Sequence, residues 1–354
     1  MRATLEVNLG ALAANYRLLK SKHAAQHIAA VVKADAYGLG AEAVSRALWN
    51  EGCREFFVAT LDEAIALRAA LPDAIIGVFQ GLLPGEERDY VQHALTPVLN
   101  DLAEVERFVQ GSGFRIQDSG CIIHVDTGMT RLGLSSEDIK KLPSRILNPE
   151  SRPLLMSHLA CANEPQHPKN AEQLARFKTA LRHFPGAKAS LANSSGIFLG
   201  PEFHFDMARP GCALYGITPV QGGNPMQHVA TLSAPILQIR TLDCDETVGY
   251  GATKPMPKGS RIAICALGYA DGWMRNLSNQ GHAFMGGQKV ALLGRVSMDM
   301  VALDVSAIAE STLATARAEF INAQQTVNDI AAAAGTIGYE IFTRIGSRVK
   351  RIYI

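Results

Sequence analysis

The feature that most constrains this chain is an alternation. Between residues 28 and 211, eight apolar runs are separated by amphipathic stretches. The runs are IAAVVK (28–33), EFFVATL (55–61), AIIGVFQ (74–80), LTPVL (95–99), CIIHVD (121–126), RPLLMSHLA (152–160), KASLAN (188–193) and FDMARPG (205–211). Strands of a parallel sheet are covered on both faces, so they read as continuous apolar runs joined by helical crossovers. The intervening segments have helical spacing. AEAVSRALWNEG (41–52) puts Val44, Leu48 and Trp49 on one stripe and stops at Gly52. DEAIALRAAL, DLAEVERFV, SEDIKKL and KNAEQLARFKTALRHF follow the same rule. Eight such units predict a (β/α)8 TIM barrel, with an open doubly wound sheet as the alternative. No GxGxxG fingerprint supports the latter.

After Tyr215 the texture changes. TPVQGGNPMQ (218–227) reads as a linker. Beyond it come strand-like runs, VATLSAPILQIRTL, RIAICALGY, KVALLGRVSM and MVALDVS, with a single helical piece, TVNDIAAAAG (326–335). The expected organisation is an α/β barrel domain at 1–225 and a mainly-β domain at 226–354. The first strand, 2–8, is free to pair with the latter.

Composition narrows the function. A chain of 354 residues that is 47% hydrophobic can build one or two packed cores. Its net charge of +1 gives no bulk field for gathering nucleic acid, so no nucleic-acid partner is expected. No apolar run reaches membrane-spanning length, and the N-terminus shows no secretory signal. The six cysteines are scattered without a CxxC pair, so neither zinc nor a disulfide framework is expected. A cytoplasmic, metal-independent enzyme fits these bounds.

Barrel enzymes carry their chemistry at the C-terminal ends of the strands. Those ends offer Lys33; Asp126 followed by Thr127–Arg131; His158; Asn193–Ser195; and Arg209–Gly211. Read alone, Lys33 fits a lysine snorkelling from a strand, and equally a desolvated amine able to form a Schiff base. Asn193-Ser194-Ser195-Gly196 fits a helix cap or an anion site. His158 alone fits a satisfied core histidine. The end of strands seven and eight is the usual phosphate site of such barrels, so Lys33 with that cradle points to pyridoxal 5'-phosphate.

Eight segments in one order resemble the alanine racemase family: VVKADAYGLG (31–40), DTGMTRLG (126–133), HLA (158–160), ANSSG (192–196), ARPGCALYG (208–216), VGYGATK (248–254), GYADGW (268–273) and GRVSMDM (294–300). The resemblance spans essentially the whole chain. It implies a pyridoxal-phosphate enzyme that interconverts L- and D-alanine by a two-base mechanism, for D-alanine supply to peptidoglycan or for alanine catabolism. It further implies that Lys33 holds the cofactor and takes the D-isomer's proton, while Tyr250 is the base for the L-isomer. Arg209 would face the pyridine nitrogen with His158 bonded to it, and would ease formation of the Tyr250 phenolate. Tyr37, Asn193, Ser194, Gly211 and Cys212 would surround the phosphate. Arg131 and the Met298 backbone N–H would meet the substrate carboxylate. Tyr269 would line the entrance, with Arg275 and Arg295 further out. A homodimer with shared active sites is implied.

Two positions depart from the family pattern. His124 stands where many members carry a lysine that becomes carbamylated, so some other anion, such as chloride, or a water would have to orient Arg131. Protonation of His124 in the histidine range would strengthen such an anion. Ser347 stands where several members place a phosphate-binding tyrosine. Three other readings remain at this point. A non-catalytic pyridoxal-phosphate carrier would lack the β-domain. An amino-acid decarboxylase would place an acid at the pyridine nitrogen and keep a catalytic cysteine, for which Cys265 is the candidate. A racemase of serine or other small amino acids would share the whole site.

Overall fold

The computed structural model describes residues 2–111, 120–143, 146, 153–313 and 317–354. The expected strand run 152–160 begins at Arg152, which lies outside the described residues. Two compact units emerge. One comprises Leu12–Ala36 and Ala41–Gln227, the other Met1–Ala11, Tyr37–Gly40 and His228–Ile354.

The first unit is the barrel. Seven parallel strands neighbour one another in chain order: β2 (Ala30–Val31), β3 (Glu55–Val58), β4 (Ile75–Val78), β5 (Thr96–Leu99), β6 (Ile122–His124), β7 (Leu154–Met156) and β8 (Lys188–Ser190). Closure comes from the eighth run, which is not a continuous strand. Ala208 bridges Ile28 on one side, and Arg209 bridges Asn193 on the other. The N–H groups of Ala29 and Val31 donate to the carbonyls of Ala208 and Pro210, each at 2.9 Å. Pro210 has no N–H to continue a ladder, which is why a long apolar run yields only bridges here. The (β/α)8 expectation therefore holds.

Helix starts follow local chemistry. Thr60 caps Leu61–Ala70 by accepting from Glu63 N, and Asp101 caps Leu102–Gln110 by accepting from Glu104 N. In Ala41–Asn50, Val44 and Leu48 are buried as expected. Trp49 is only partly buried and lies under the Arg54 guanidinium, 4.1 Å from its ring centre.

The second unit is mainly β. β9 (Ala230–Thr241), β12 (Arg261–Cys265), β15 (Val301–Asp304), β14 (Gln288–Leu293), β13 (His282–Met285) and β16 (Arg317–Ile321) pair in that order, and β16 returns to β9. These six strands close into a small barrel. β1 (Thr4–Val7) adds antiparallel to β9, and β17 (Lys350–Tyr353) adds parallel to β1. β10 (Glu246–Val248) and β11 (Lys254–Met256) form a separate hairpin. The sequence reading expected one helix here. Among the described residues there are three: Glu310–Leu313, Val327–Ala334 and Gly338–Thr343.

Candidate active site

Lys33 follows β2, whose ladder continues through Val32 N to Phe57 O at 2.8 Å. The next four residues, Ala34 to Tyr37, all have φ between 51° and 58°. A left-handed turn of non-glycine residues costs about 1–2 kcal/mol per residue, so its supports matter. Glu63 supplies one: its Oε1 accepts from Ala34 N and its Oε2 from Ala59 N, both at 2.8 Å. Asp35 Oδ1 accepts from Ala41 N at 2.7 Å. The turn points the chain away from the strand and leaves the Lys33 stem half-buried, with Nζ 5.8 Å from the Phe79 ring centre. Burial and the nearby Arg131 charge pull the Lys33 pKa below its ordinary value, against a smaller opposing pull from Glu63.

The end of the turn is anchored separately. Tyr37 is buried, its ring 5.8 Å from that of Tyr339. The Gly38 carbonyl accepts from Arg351 Nε and Nη2 at 3.1 and 2.9 Å. A Cβ on Gly38 would lie 2.4 Å from the Phe342 carbonyl oxygen, so only glycine fits there.

At the end of the seventh and eighth strands, Ser194 Oγ accepts from Gly211 N at 3.0 Å and from Ala213 N at 3.3 Å. Ser194 is buried, and Cys212–Tyr215 forms a short 3-10 turn held by Tyr215 Oη on the Val31 carbonyl at 2.8 Å. A hydroxyl and two backbone N–H groups thus converge. Asn193 bonds within its own stretch of chain and to the preceding strand end. Its Oδ1 caps Gly196 N at 2.9 Å and its Nδ2 reaches the Leu159 carbonyl at 3.4 Å, so its amide braces the loop.

Arg209 is 3% exposed. Its guanidinium donates to Ser190 Oγ and to the Ser157 carbonyl. No hydrogen bond joins it to His158 among the described residues, which corrects the expected pairing. Burial lowers the Arg209 pKa to about 9, still well above neutrality, so the group stays cationic. His158 is partly buried, and its pKa is pushed down to about 3 by desolvation and then by Arg209, Arg131, His124 and Lys33. The ring is a neutral neighbour in a cationic interior. Gln173, which the sequence reading did not single out, ties the strand ends together. Its Nε2 donates to the His158 carbonyl and Thr127 Oγ1, and its Oε1 accepts from Ala160 N.

Arg131 is exposed on a loop shaped by Asp126, whose Oδ1 accepts from the N–H groups of Gly128, Met129 and Thr130 at 2.8–3.1 Å. Those bonds hold the Asp126 carboxyl below its ordinary pKa, against the upward pull of partial burial. Among the described residues no cluster of His, Cys, Asp and Glu could hold a metal. Cys265 is buried, and desolvation raises its thiol to about 12, which disfavours the nucleophile required by the decarboxylase reading.

The second unit carries the remaining candidates on loops. Tyr250 is 70% exposed and Met298 54%; Tyr269 and Arg275 are also exposed. Tyr269 N donates to the Ser297 carbonyl and Ala270 N to the Met298 carbonyl, at 3.1 and 2.9 Å. A Cβ on Gly268 would meet the Met298 carbonyl at 2.2 Å, so glycine permits this stitch. Arg348 braces both loops, with Nε 3.1 Å from Asp271 and Nη1 2.8 Å from Asp299. Arg295 lies against Gly251 beside Tyr250, and Ser347 is exposed beside Arg348.

Comparison with known proteins matches residues 7–219 to the N-terminal domain of alanine racemase and residues 229–353 to its C-terminal domain. An alanine racemase of Rickettsia akari is 44% identical over 355 residues, covering 99% of each chain. A catabolic alanine racemase of Agrobacterium fabrum is 45% identical, covering 99% of this chain and 92% of its own. Among solved structures, alanine racemase from Bartonella henselae with covalently bound pyridoxal phosphate superimposes with a TM-score of 0.92 at 37% identity over the whole of both chains. The biosynthetic alanine racemase of Pseudomonas aeruginosa gives 0.90 at 34%, covering 100% of this chain and 99% of its own. No helix among the described residues is long and apolar enough to cross a membrane. With both domains matched in order and relatives this similar over their full length, the chain belongs to the alanine racemase family.

Proposed function

We propose that the protein interconverts L- and D-alanine, with pyridoxal phosphate held on Lys33 and with Lys33 and Tyr250 as bases on opposite faces of the substrate. The observation that carries this reading is the pairing, at one end of one barrel, of an amine whose pKa is lowered by burial with a cradle of Ser194, Gly211 and Ala213. A buried lysine loses its proton readily and can attack a carbonyl carbon. With its oxygen accepting from the Gly211 and Ala213 N–H groups, the Ser194 hydroxyl keeps its O–H to donate to a phosphate. These residues fit a phosphorylated aldehyde.

When bound, the cofactor supplies the electron sink that makes the substrate Cα–H acidic. The chain must then move one proton. Lys33 Nζ removes or returns it on one face, and Tyr250 Oη does the same on the other, so neither has to cross the molecular plane. Arg131 and the Met298 N–H hold the carboxylate, which fixes the Cα–H bond between the two bases. Arg209 keeps its proton at working pH, so it would hold a cofactor ring nitrogen as a donor without protonating it. Tyr37 and the Cys212 backbone complete the phosphate surroundings, and Tyr269 lines the entrance.

The active form is a homodimer in which each site draws on both chains. Support comes from the exposure of Tyr250, Tyr269, Met298 and Met300 on the second unit. Large apolar and aromatic groups grouped on loops are characteristic of a surface that a partner covers.

The test is borohydride reduction of the cofactor-loaded protein with peptide mapping, alongside a chirality assay on alanine, serine and other small amino acids. Modification of Lys33 and racemisation of alanine are expected. A label on another lysine, or no racemisation of any amino acid, would overturn the reading. Preference for serine would redirect the substrate alone.

A further inference from the structure

The helix Leu61–Ala70 opens on a capping-box sequence, Thr60 followed three residues later by Glu63. Half of the box is present: Thr60 Oγ1 accepts from Glu63 N at 3.2 Å. In a complete box the acid returns to the N–H of the cap residue itself. Glu63 reaches elsewhere. Its Oε2 accepts from Ala59 N, one residue before the cap, and its Oε1 crosses to Ala34 N, 29 positions away in the chain and next to Lys33. Both oxygens accept from N–H groups, which is the chemistry of the ionised carboxylate.

The effect on Lys33 follows from the main chain. The peptide plane before Lys33 is held by the Val32 carbonyl, which accepts from Ala36 N at 2.8 Å. The plane after it is held by Ala34 N on Glu63, also at 2.8 Å. The torsions of the lysine side chain are then the main freedom left to the amine. Ala34 and Asp35 are exposed, so packing does not hold them in the left-handed region that non-glycine residues disfavour. The carboxylate does.

The charge of Glu63 has a second consequence. Arg131 faces the Lys33 amine as another cation, and Glu63 as the opposing carboxylate. The imidazoles of this interior add no charge near neutrality. Burial and the guanidinium groups hold His158 at about 3 and His124 at about 4, which also tells against the anion expected to gain strength at His124 near pH 6.5.

We propose that Glu63 is a positioning residue for Lys33: diverted from its helix cap to Ala34 N, it fixes the direction in which the amine leaves the strand, and its charge offsets that of Arg131 at the amine. This rests on the reading of Lys33 as the cofactor-bearing base.

Competitive labelling of the cofactor-free protein with an amine-reactive reagent, followed by peptide mapping, reads the proton affinity of Lys33 without substrate. Glu63→Gln keeps the size, removes the charge and turns an amide N–H toward one of the two main-chain donors. Its Lys33 labelling midpoint should fall by about half a pH unit below that of wild type. Glu63→Asp keeps the charge on a shorter arm, and its midpoint should stay near wild type. In the loaded enzyme both variants should lose about tenfold in deuterium wash-in at the Cα of D-alanine, the isomer assigned to Lys33, with a smaller loss at L-alanine and little change in KM. A Glu63→Gln midpoint at or above that of wild type, or equal losses for the two isomers, would overturn the proposal. A wild type that racemises alanine beside variants with undiminished exchange would overturn it alone. A wild type without alanine racemisation, or with the cofactor on another lysine, would instead remove the reading beneath it. Should Glu63→Gln fail to fold, Glu63→Asp decides, and full exchange into D-alanine despite the shorter arm would overturn the proposal.

Discussion

Arg209 in the barrel is 3% exposed and Tyr250 in the second unit is 70% exposed, although both are placed in the same reaction. The barrel residues are held by side-chain bonds made within their own unit: Arg209 to Ser190 and Ser157, His124 to Asn100, and the Lys33 turn to Glu63. The loops of the second unit are held by backbone bonds to the carbonyls of Ser297 and Met298 and by the Arg348 ion pairs, while the candidate side chains extend into solvent. One region is finished by its own packing. The other is rigid in its main chain and leaves its functional atoms to be covered. Substitutions should therefore separate by region. Those in the barrel interior should perturb both folding and activity. Those of exposed side chains in the second unit should perturb activity alone.

The largest effect should come from mixing the two regions across subunits. Lys33→Ala and Tyr250→Phe should each be nearly inactive as pure dimers. Subunit exchange between them should restore about a quarter of wild-type activity, since half the dimers are mixed and each mixed dimer has one intact site. No recovery despite demonstrated exchange would mean that each site lies within one chain.

A second test uses acid. His124 has a folded-state pKa near 4 against an ordinary 6.5, so the unfolded chain takes up this proton first. Its contribution to stability is complete above about pH 6.5 and is lost as pH falls toward 4. Glu104 acts in the opposite sense. Its pKa is raised to about 7 by burial, so its contribution is present below 4.5 and is lost as pH rises toward 7. Urea midpoints for His124→Gln should accordingly show a shallower acid loss than wild type, on the order of 2 kcal/mol less across that interval. Parallel profiles for wild type and His124→Gln would mean that the ring is not desolvated as described.

The smallest effect should follow Arg348→Ala. Its guanidinium is solvent-exposed in both ion pairs, with the buried Asp271 and the exposed Asp299, and pairs made by an exposed cation contribute little to folding. They brace the loops carrying Tyr269 and Met298, so a rise in the KM for alanine of less than about tenfold is expected with an unchanged Tm. A large fall in Tm would show that the second unit depends on side-chain packing as the barrel does.

Much of the barrel was legible because strands buried on both faces must be apolar throughout. The eighth member is the exception, where Pro210 reduces a run of the right composition to bridges. In the second unit β10, β11, β13 and β16 escaped the sequence reading. They are three to five residues long and carry no sustained alternation. Gly286-Gly287, the turn between β13 and β14, was a readable hairpin signal that the composition of that half concealed. Lys33 could be found from its place after an apolar run. The left-handed turn that follows it could not, because Ala34, Asp35 and Ala36 are ordinary residues held there by Glu63 and Asp35 through hydrogen bonds. Asn100 was invisible for a related reason. It is 24 positions from His124, and only closure of adjacent strands brings the two side chains together.

The central claim is that one proton is exchanged between two bases of different regions, and hydrogen exchange at the substrate Cα tests it most directly. In deuterated water, Tyr250→Phe should still wash deuterium into D-alanine through Lys33, while exchange into L-alanine should fall by about a hundredfold or more. Equal loss for both isomers, or none for either, would contradict the division of labour between the barrel lysine and the exposed tyrosine.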